Sequence, residues 1–426
     1  MPGNAQFPDS VLPILSRMSM ATAILFVLTV VATPSTQAQT FSVLHNFTGG
    51  GDGGVPVAGV TMDAAGNLYG TTYLGGAGYG TVYQLRRTAP NWLFNILVSF
   101  DWTDGANSQA RVVFGPEGFL YGTTQYGGRY GGGVIFKLGR PARPCITTLC
   151  PWTETVLYRF PGGLNGANPT LGDVIFDQAG NMYNTAGRYC PGCYGVGIVY
   201  EQMPPGSWQT QTILHSFSVS DGQLPLGGVI FDSAGNLYGT TYGGGRSEFG
   251  TVYELTKAGS GWTESLLHTF TNGSDGTYPI AGLISDQSGN LYGAAANSRN
   301  GGGTVFELTP SDGGWTFSVL HSFTYTGDSN VCGPQGPLVM DAVGNLYGTT
   351  YCDGAYNLGN VFKLTHLGGG WTYTSLHDFT GGSDGAKPVS NVILDGSGNI
   401  YDTASGGGNT NCDSGYGCGV VWEITP

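Results

Sequence analysis

Short runs of alternating hydrophobic and polar residues, separated by glycine-rich turns, recur along the chain from about residue 40 to its end. One stretch shows the pattern, with an apolar run ending at residues 229–231 and further runs at 236–241, 251–255 and 263–270. Their length, their alternation and their content of Val, Ile, Thr and Tyr are typical of β-strands. The pattern therefore predicts four strands, which we name a, b, c and d.

The four-strand unit is repeated. The tyrosine of the motif GNLYG in strand b recurs at intervals of 52 to 62 residues, at Tyr69, Tyr121, Tyr183, Tyr238, Tyr292, Tyr347 and Tyr401. A regular period of this length indicates a stacked or radial repeat architecture. A short Asp-x-x-Gly-Asn turn joins strands a and b, as in an antiparallel hairpin. Four antiparallel strands make one propeller blade, whereas the coils of a solenoid are usually shorter. We therefore predict an all-β fold, a seven-bladed β-propeller of four-stranded antiparallel blades, in preference to a solenoid or a sandwich.

The two ends of the repeat region complement each other. Residues 41–47 match strand d but follow no strands a to c, and the last repeat stops after its strand c at residues 420–424. Pairing these two segments completes the last blade and leaves no unpaired sheet edge. We predict that this N-terminal strand closes the ring and that residues 39–426 form a single domain.

The first 38 residues resemble a secretory signal peptide. Arg17 precedes an apolar stretch at residues 20–32, and Thr36 and Ala38 place compact residues at the −3 and −1 positions of a cleavage site. A membrane anchor is the alternative, but the stretch is shorter than the roughly 20 residues that span a bilayer. We predict a signal peptide over residues 1–38, cleaved after Ala38, and a secreted, extracellular or periplasmic protein that does not insert into a membrane after cleavage.

The charge of the chain narrows the range of partners. Its 15 basic and 28 acidic residues give a formal net charge of −13, and no basic run is present that could neutralise a phosphate backbone. We therefore expect no nucleic-acid partner. We also expect a monomer.

The motifs GNLYGTT, GTVFELT, LHSF and DGxxP resemble the GloVer tandem repeats of secreted bacterial proteins. The resemblance covers the whole mature chain. It implies a propeller-like extracellular protein, often associated with the cell surface, without a settled activity.

The residues that recur in most repeats are interpreted as structural. Five histidines share one position in strand d, where a propeller spreads them around its outer rim: His45, His215, His268, His321 and His377. Six aspartates begin the a to b turns, where a carboxylate accepts backbone N–H groups: Asp63, Asp177, Asp232, Asp286, Asp341 and Asp395. Neither set has the spacing of a zinc or calcium site. We predict no metal site and no cofactor.

The cysteines favour disulfides. All eight follow residue 140, and an even number in an exported protein indicates pairing. Spacing suggests the pairs Cys145 with Cys150, Cys190 with Cys193, Cys332 with Cys352, and Cys412 with Cys418. Other connectivities stay open. Cys190 and Cys193 also fit a redox-active CxxC motif, but no helix is expected there to lower a thiol pKa, so we interpret them as a loop staple.

Candidate site residues are those at which one repeat departs from the others. Four residues before the a to b turn, most repeats have Gly or Pro, whereas Arg111, Asp173 and Asn391 occupy that position in repeats two, three and seven. Asn184 and Asp402 replace the second glycine of GNLYG in repeats three and seven. Because strand a lines the channel of a propeller, we expect these polar groups near its mouth, where repeats three and seven nearly face each other. Decay of the repeat is the alternative explanation.

The b to c loops carry many aromatic residues, among them Tyr126, Tyr242 and Tyr351. Such rings suit stacking on a sugar or on a protein partner, although they can equally pack against neighbouring loops. We therefore favour a binding or scaffold module for a glycan or a surface protein. The alternative is an extracellular hydrolase or lyase at the channel mouth, for which the sequence shows no evident acid and base pair.

Overall fold

The computed structural model describes residues 39–88, 91–140, 152–187, 196–203, 210–259, 261–299, 301–325, 331–410, 412 and 415–426. Residues Gln39–Pro426 form one compact unit. Within the described ranges, the strands make seven four-stranded antiparallel sheets, and no helix there has the length and apolar character needed to cross a bilayer. The predicted seven-bladed propeller is confirmed.

Each sheet is one blade, with its strands a to d in chain order. Blade 1 comprises β2 (Thr61–Met62), β3 (Leu68–Thr72), β4 (Thr81–Thr88) and β5 (Asn91–Ser99). Blade 2 comprises β6 (Val113–Phe114), β7 (Leu120–Thr124), β8 (Val134–Gly139) and β9 (Thr153–Arg159). Blade 3 comprises β10 (Ile175–Phe176), β11 (Met182–Gly187), β12 (Gly197–Gln202) and β13 (Gln211–Ser216). Blade 4 comprises β14 (Ile230–Phe231), β15 (Leu237–Thr241), β16 (Thr251–Ala258) and β17 (Gly261–Thr269).

Blade 5 comprises β18 (Ile284–Ser285), β19 (Leu291–Ala295), β20 (Gly301–Ser311) and β21 (Gly314–Thr324). Blade 6 comprises β22 (Val339–Met340), β23 (Leu346–Thr350), β24 (Asn360–Leu367) and β25 (Gly370–Asp378). Blade 7 comprises β26 (Ile393–Leu394), β27 (Ile400–Ala404), β28 (Val420–Thr425) and, as its outer strand, β1 (Thr40–Asn46).

The N-terminal strand closes the ring, as predicted. β1 runs antiparallel to β28 from the pair Thr40 and Thr425 to the pair Asn46 and Val420. Phe47, directly after β1, is fully buried among residues of blades 7 and 1. Neither end of the chain therefore leaves blade 7 with an unpaired edge.

A threonine in strand b ties blades together at several junctions. Its hydroxyl donates to a backbone carbonyl in the segment that leads into strand a of the next blade. The pairs are Thr71 with Ala110 at 3.2 Å, Thr185 with Gly227 at 3.3 Å, Thr240 with Ala281 at 2.7 Å, Thr349 with Ser390 at 2.9 Å and Thr403 with Ala58 at 3.0 Å. The last pair joins blade 7 to blade 1, so the same contact holds the ring where the chain ends meet.

The second glycine of GNLYG makes room for an aromatic ring of strand c. A Cβ atom on Gly70 would lie 2.3 Å from the Tyr83 hydroxyl, and one on Gly293 would lie 2.5 Å from the Phe306 ring. These rings belong to hydrophobic clusters that lie between neighbouring blades. The core of the protein is therefore divided among the junctions of the ring.

The recurrent aspartates and histidines have structural roles. Asp63 accepts hydrogen bonds from the backbone N–H groups of Ala65 and Asn67, both at 2.9 Å, and from the Tyr69 hydroxyl at 3.0 Å. His45 lies 3.3 Å from the Asp52 carboxylate through its Nε2. Its ring also stacks on Phe94 of the next blade, with centroids 3.8 Å apart. Equivalent contacts recur around the ring, at His268 and His377 among others.

Two of the predicted disulfides are present, Cys332–Cys352 and Cys412–Cys418. Within the described part of the chain no cysteine is free. The other four cysteines, Cys145, Cys150, Cys190 and Cys193, lie outside the described residues.

Candidate functional site

A cavity of about 330 Å³ occupies the centre of the ring. Its wall is formed by the segments that lead into strand a, and each blade presents residues at intervals of two, as expected for extended chain. The positions nearest the d to a loops include Val57, Gln109, Leu171, Gln335 and Val389. The middle positions are Gly59, Arg111, Asp173, Gly228, Gly282, Pro337 and Asn391. The farthest include Val113, Ile175, Ile230, Ile284 and Val339. The cavity wall is therefore apolar at the positions farthest from the d to a loops, and it includes three polar side chains at the middle positions.

Arg111 and Asp173 form an ion pair on this wall. Arg111 donates to Asp173 Oδ2 from Nε at 2.8 Å and from Nη2 at 2.6 Å, and its backbone N–H donates to Oδ1 at 3.0 Å. Each side chain keeps 20% of its surface exposed. The pair links blades 2 and 3 and leaves a charged, hydrogen-bonding surface on the cavity.

At the middle positions, the polar groups occupy one side of the cavity. Asn391, Arg111 and Asp173 come from blades 7, 2 and 3, with only Gly59 of blade 1 between them. On the opposite side, the equivalent positions are Gly228, Gly282 and Pro337. At this level, the channel therefore has side chains that can form hydrogen bonds on the side of blades 7, 2 and 3, and only glycine and proline on the side of blades 4, 5 and 6.

The structure places Asn184 and Asp402 behind this wall, and neither lines the cavity. Both are fully buried. Asn184 donates to the carbonyl of Gly172 at 2.8 Å and accepts from the backbone N–H of Thr185 at 2.8 Å. Because strand b lies outside strand a, these two side chains contact the back of the wall and do not face each other across the channel.

Asp402 is the buried acid of this region. Its Oδ1 accepts a hydrogen bond from the Ser390 hydroxyl at 2.6 Å, whereas its Oδ2 has no partner among the described residues. Burial raises the pKa of Asp402 to about 7, although the hydrogen bonds from Ser390 and Thr403 and the charge of Arg111 oppose the rise. Ser390 itself lines the cavity. The Ser390 hydroxyl thus connects a buried carboxyl group, with its pKa raised to about 7, to the segment that lines the cavity.

A second, more open cleft of about 660 Å³ lies on the face that carries the d to a and b to c loops. We call it the loop-face cleft; its lining residues include Tyr351, Lys387 and Tyr416. Lys387 Nζ lies 5.4 Å from the centroid of the Tyr351 ring and 4.6 Å from that of Tyr416. Val57, Gln335 and Val389 line both this cleft and the central cavity, so the two spaces adjoin.

The three tyrosines singled out in the sequence lie in different surroundings. Tyr351 lines the loop-face cleft. Tyr242 stacks on Tyr278 of the next blade, with centroids 4.7 Å apart, and so packs against a neighbouring loop. Tyr126 is 36% exposed on blade 2, away from the cleft. The structure therefore brings only Tyr351 together with other groups suited to a ligand.

Sequence reasoning missed Lys387 and Ser390. Lys387 stands before the proline of DGxxP, where the equivalent residues include Val55, Asn107, Asn168, Leu224 and Tyr278, so it is the one cation in that set. Ser390 stands where other repeats have Ala58, Ala110, Gly172, Gly227, Ala281 and Gly336. Comparing every position of the segment before strand a, and not one position alone, would have found both.

Within the described ranges, no group of three or more His, Cys, Asp or Glu side chains lies close enough together to hold a metal ion.

Solved structures of several bacterial proteins are similar to this chain. A putative 6-phosphogluconolactonase from Bacteroides uniformis is 12% identical, with a TM-score of 0.48 over 76% of this chain and 84% of that one. Another from Bacteroides fragilis is 13% identical, with a TM-score of 0.48 over 87% and 89% of the two chains. A protein of unknown function from Dyadobacter fermentans is 9% identical, with a TM-score of 0.45 over 91% and 99%. Similarities at this level carry no argument about what this chain does.

Among curated proteins, none matches the chain significantly. A model of the Gloeobacter/Verrucomicrobia repeat matches residues 28–191 and 172–422. The two matches together span most of the sequence and agree with the repeat that the structure shows as propeller blades. This chain therefore belongs to the Gloeobacter/Verrucomicrobia repeat family.

Proposed function

We propose that the protein is a carbohydrate-binding module that holds its ligand in the loop-face cleft, with room for the ligand to extend into the central cavity. The observation that carries the proposal is that the two spaces adjoin and share Val57, Gln335 and Val389 in their walls. Together they form a concave site with aliphatic and aromatic walls and a few polar groups, which is the usual composition of a small-ligand site.

The side chains of the cleft suit a sugar. The Tyr416 side chain is 64% exposed and Tyr351 lines the same cleft, so both present aromatic surface for stacking on a pyranose ring. Gln335 and Ser405 add an amide and a hydroxyl to the lining, which can exchange hydrogen bonds with sugar hydroxyls. A surface protein is the less suitable ligand, since a stable protein interface buries about 800 Å² on each partner and favours broad surfaces over a narrow cleft.

The disulfides Cys332–Cys352 and Cys412–Cys418 are consistent with an extracellular or periplasmic location, where such bonds persist. A glycan ligand belongs to the same compartment.

The test is a binding screen against a panel of neutral and charged oligosaccharides, followed by calorimetry with Tyr416→Ala and Tyr351→Ala. Each substitution should weaken binding by roughly 2- to 12-fold, because loss of one aromatic contact removes about 0.5 to 1.5 kcal/mol beyond its area. Tyr356→Ala is the matched control, since Tyr356 is 57% exposed in the same loop region but does not line the cleft. Absence of binding to every oligosaccharide, or full affinity in both cleft variants, would refute the proposal.

Asp402 favours a second candidate function, a hydrolase or lyase that acts on a ligand in the cavity. A general acid or base works best when its pKa lies near the working pH, and burial raises the pKa of Asp402 to about 7. In this scheme Ser390 relays a proton between Asp402 and the cavity, and Arg111 with Asp173 orients the ligand. Turnover of the same panel, lost in Asp402→Asn and in Ser390→Ala, would support this function; the lack of turnover in the wild type would exclude it for those substrates.

A further inference from the structure

We infer that the ligand of the loop-face cleft is an anionic saccharide, whose acidic group pairs with the Lys387 ammonium while its rings stack on Tyr351 and Tyr416. The inference rests on the proposed carbohydrate binding and adds the charge of the ligand.

The backbone of Lys387 is held firmly. Its N–H donates to the carbonyl of Leu358 at 2.7 Å, and its carbonyl accepts from the Ser405 hydroxyl at 2.7 Å. Its φ of 53° lies in the left-handed region, as it does at the equivalent residues Val55 and Tyr278. The geometry of the repeat therefore fixes the backbone from which the Lys387 side chain extends, and its ammonium group lies near the Tyr351 and Tyr416 rings of the cleft.

Among the described residues, no carboxylate forms an ion pair with this ammonium group. The described Lys and Arg side chains in ion pairs are those of Arg111, Lys137 and Arg140. The described residues that line the loop-face cleft include no Asp or Glu. Lys387 instead lies near the faces of two tyrosine rings, which attract a cation but leave its hydrogen-bond donors available to an oxyanion.

The location of this cation is informative because the chain is acidic, with a net charge of −13. Its surface as a whole repels anions, so a lone lysine in a lined cleft marks the place where an anion is locally favoured. Two aromatic faces next to one ammonium match a sugar ring that carries a carboxylate or a sulfate. The two acidic groups share the chemistry that Lys387 recognises, and the experiment separates them.

The test compares ligands that differ only in charge. Oligogalacturonate is measured by calorimetry beside its fully methyl-esterified form, which has the same rings without the negative charge, and a sulfated oligosaccharide is measured beside its unsulfated form. The wild type should bind the charged member of at least one pair about tenfold more tightly or better, because a hydrogen bond to a charged group contributes more than a neutral one.

Three variants locate the effect. Lys387→Met keeps the length of the side chain and should bind the charged and neutral members equally, whereas Lys387→Arg should keep the preference. Lys363→Met is the matched control, because Lys363 Nζ also lies over a tyrosine ring, 5.2 Å from that of Tyr347, but outside the cleft. Its preference should equal that of the wild type. Thermal unfolding of each variant checks that the fold is retained.

The outcomes separate the two proposals. Equal affinity of the wild type for both members of each pair, or a preference that survives in Lys387→Met, overturns the inference and leaves carbohydrate binding standing. Failure to bind any member, charged or neutral, overturns the carbohydrate proposal itself. A preference confined to the sulfated pair, and lost in Lys387→Met, supports the inference with sulfate as the acidic group.

Discussion

Replacing Asp402 by asparagine should stabilise the protein at neutral and alkaline pH and leave its stability near pH 4 unchanged. In the folded protein, burial raises the pKa of this carboxyl from 3.8 to about 7. The folded state therefore holds the proton more tightly than the unfolded state, so stability falls as pH rises from about 4 through about 7 and levels off above. The raised pKa makes Asp402 a destabilising group at pH 8.

The size of the effect follows from the shift. A displacement of the pKa from 3.8 to about 7 corresponds, at about 1.4 kcal/mol per unit, to roughly 4 kcal/mol in the free energy of unfolding at pH 8. Asparagine removes this term because it does not ionise. Asparagine has nearly the same shape as aspartate, and in blade 3 Asn184 occupies the equivalent position and donates to the Gly172 carbonyl at 2.8 Å. In blade 7 the equivalent acceptor is the carbonyl of Ser390.

The assay is urea unfolding of wild type and Asp402→Asn at a series of pH values from 4 to 8, with the difference in unfolding free energy plotted against pH. The control is Asp395→Asn in the same blade. Burial alone would raise the pKa of Asp395, but hydrogen bonds from Asn399 and Ser397 outweigh it and lower the pKa. That variant should lose stability at neutral pH, and the loss should stay nearly constant from pH 4 to 8, because the lowered pKa of Asp395 keeps it ionised across this range. A difference between wild type and Asp402→Asn that does not change with pH would refute the reasoning.

Two further predictions concern the ring. Deleting residues 39–48 removes β1 and the buried Phe47, and it leaves β28 as an unpaired edge, so the melting temperature of the whole ring should fall steeply in a circular dichroism scan; a wild-type melting temperature would contradict closure as a source of stability. Replacing Cys332 and Cys352 together by alanine should cost about 3 kcal/mol in urea unfolding, because their bond closes a loop with a sequence separation of 20; an unchanged midpoint would contradict this.

Much of the fold could be predicted because the same strand and turn motifs recur several times along the chain. A turn aspartate such as Asp63 appears in six of the seven a to b hairpins, and its bonds to Ala65 and Asn67 are those expected for this turn. Ring closure could be predicted because strand d is recognisable at residues 41–47 without the rest of a blade. Neither inference needs knowledge of how distant side chains meet.

The candidate site was predicted only in part. Arg111 and Asp173 were expected on the channel because they depart from the repeat in strand a, which lines the channel of a propeller. The burial of Asp402 could not be deduced from the sequence, because the pattern of residues does not reveal that the segment leading into strand a of blade 7 covers this strand b side chain. Lys387 escaped notice because its direction depends on a left-handed φ of 53° and on contacts with another loop, which are properties of the assembled ring.

The distribution of the departures from the repeat supports a ligand as their cause. A residue type that the blade fold requires should occur at the same position in all blades. A residue type found in one blade is therefore explained by ring closure or by a cause that does not follow the sevenfold repeat. The closure contacts in blade 7 are made by β1 and β28. Lys387, Ser390 and Asn391 lie instead on the segment that lines the cleft and the cavity. Neither the repeat nor the pairing of β1 with β28 requires the Lys387 and Asn391 side chains, whereas the Ser390 hydroxyl donates to Asp402. Lys387 and Asn391 therefore fit the ligand site proposed above, with decay of the repeat as the alternative explanation.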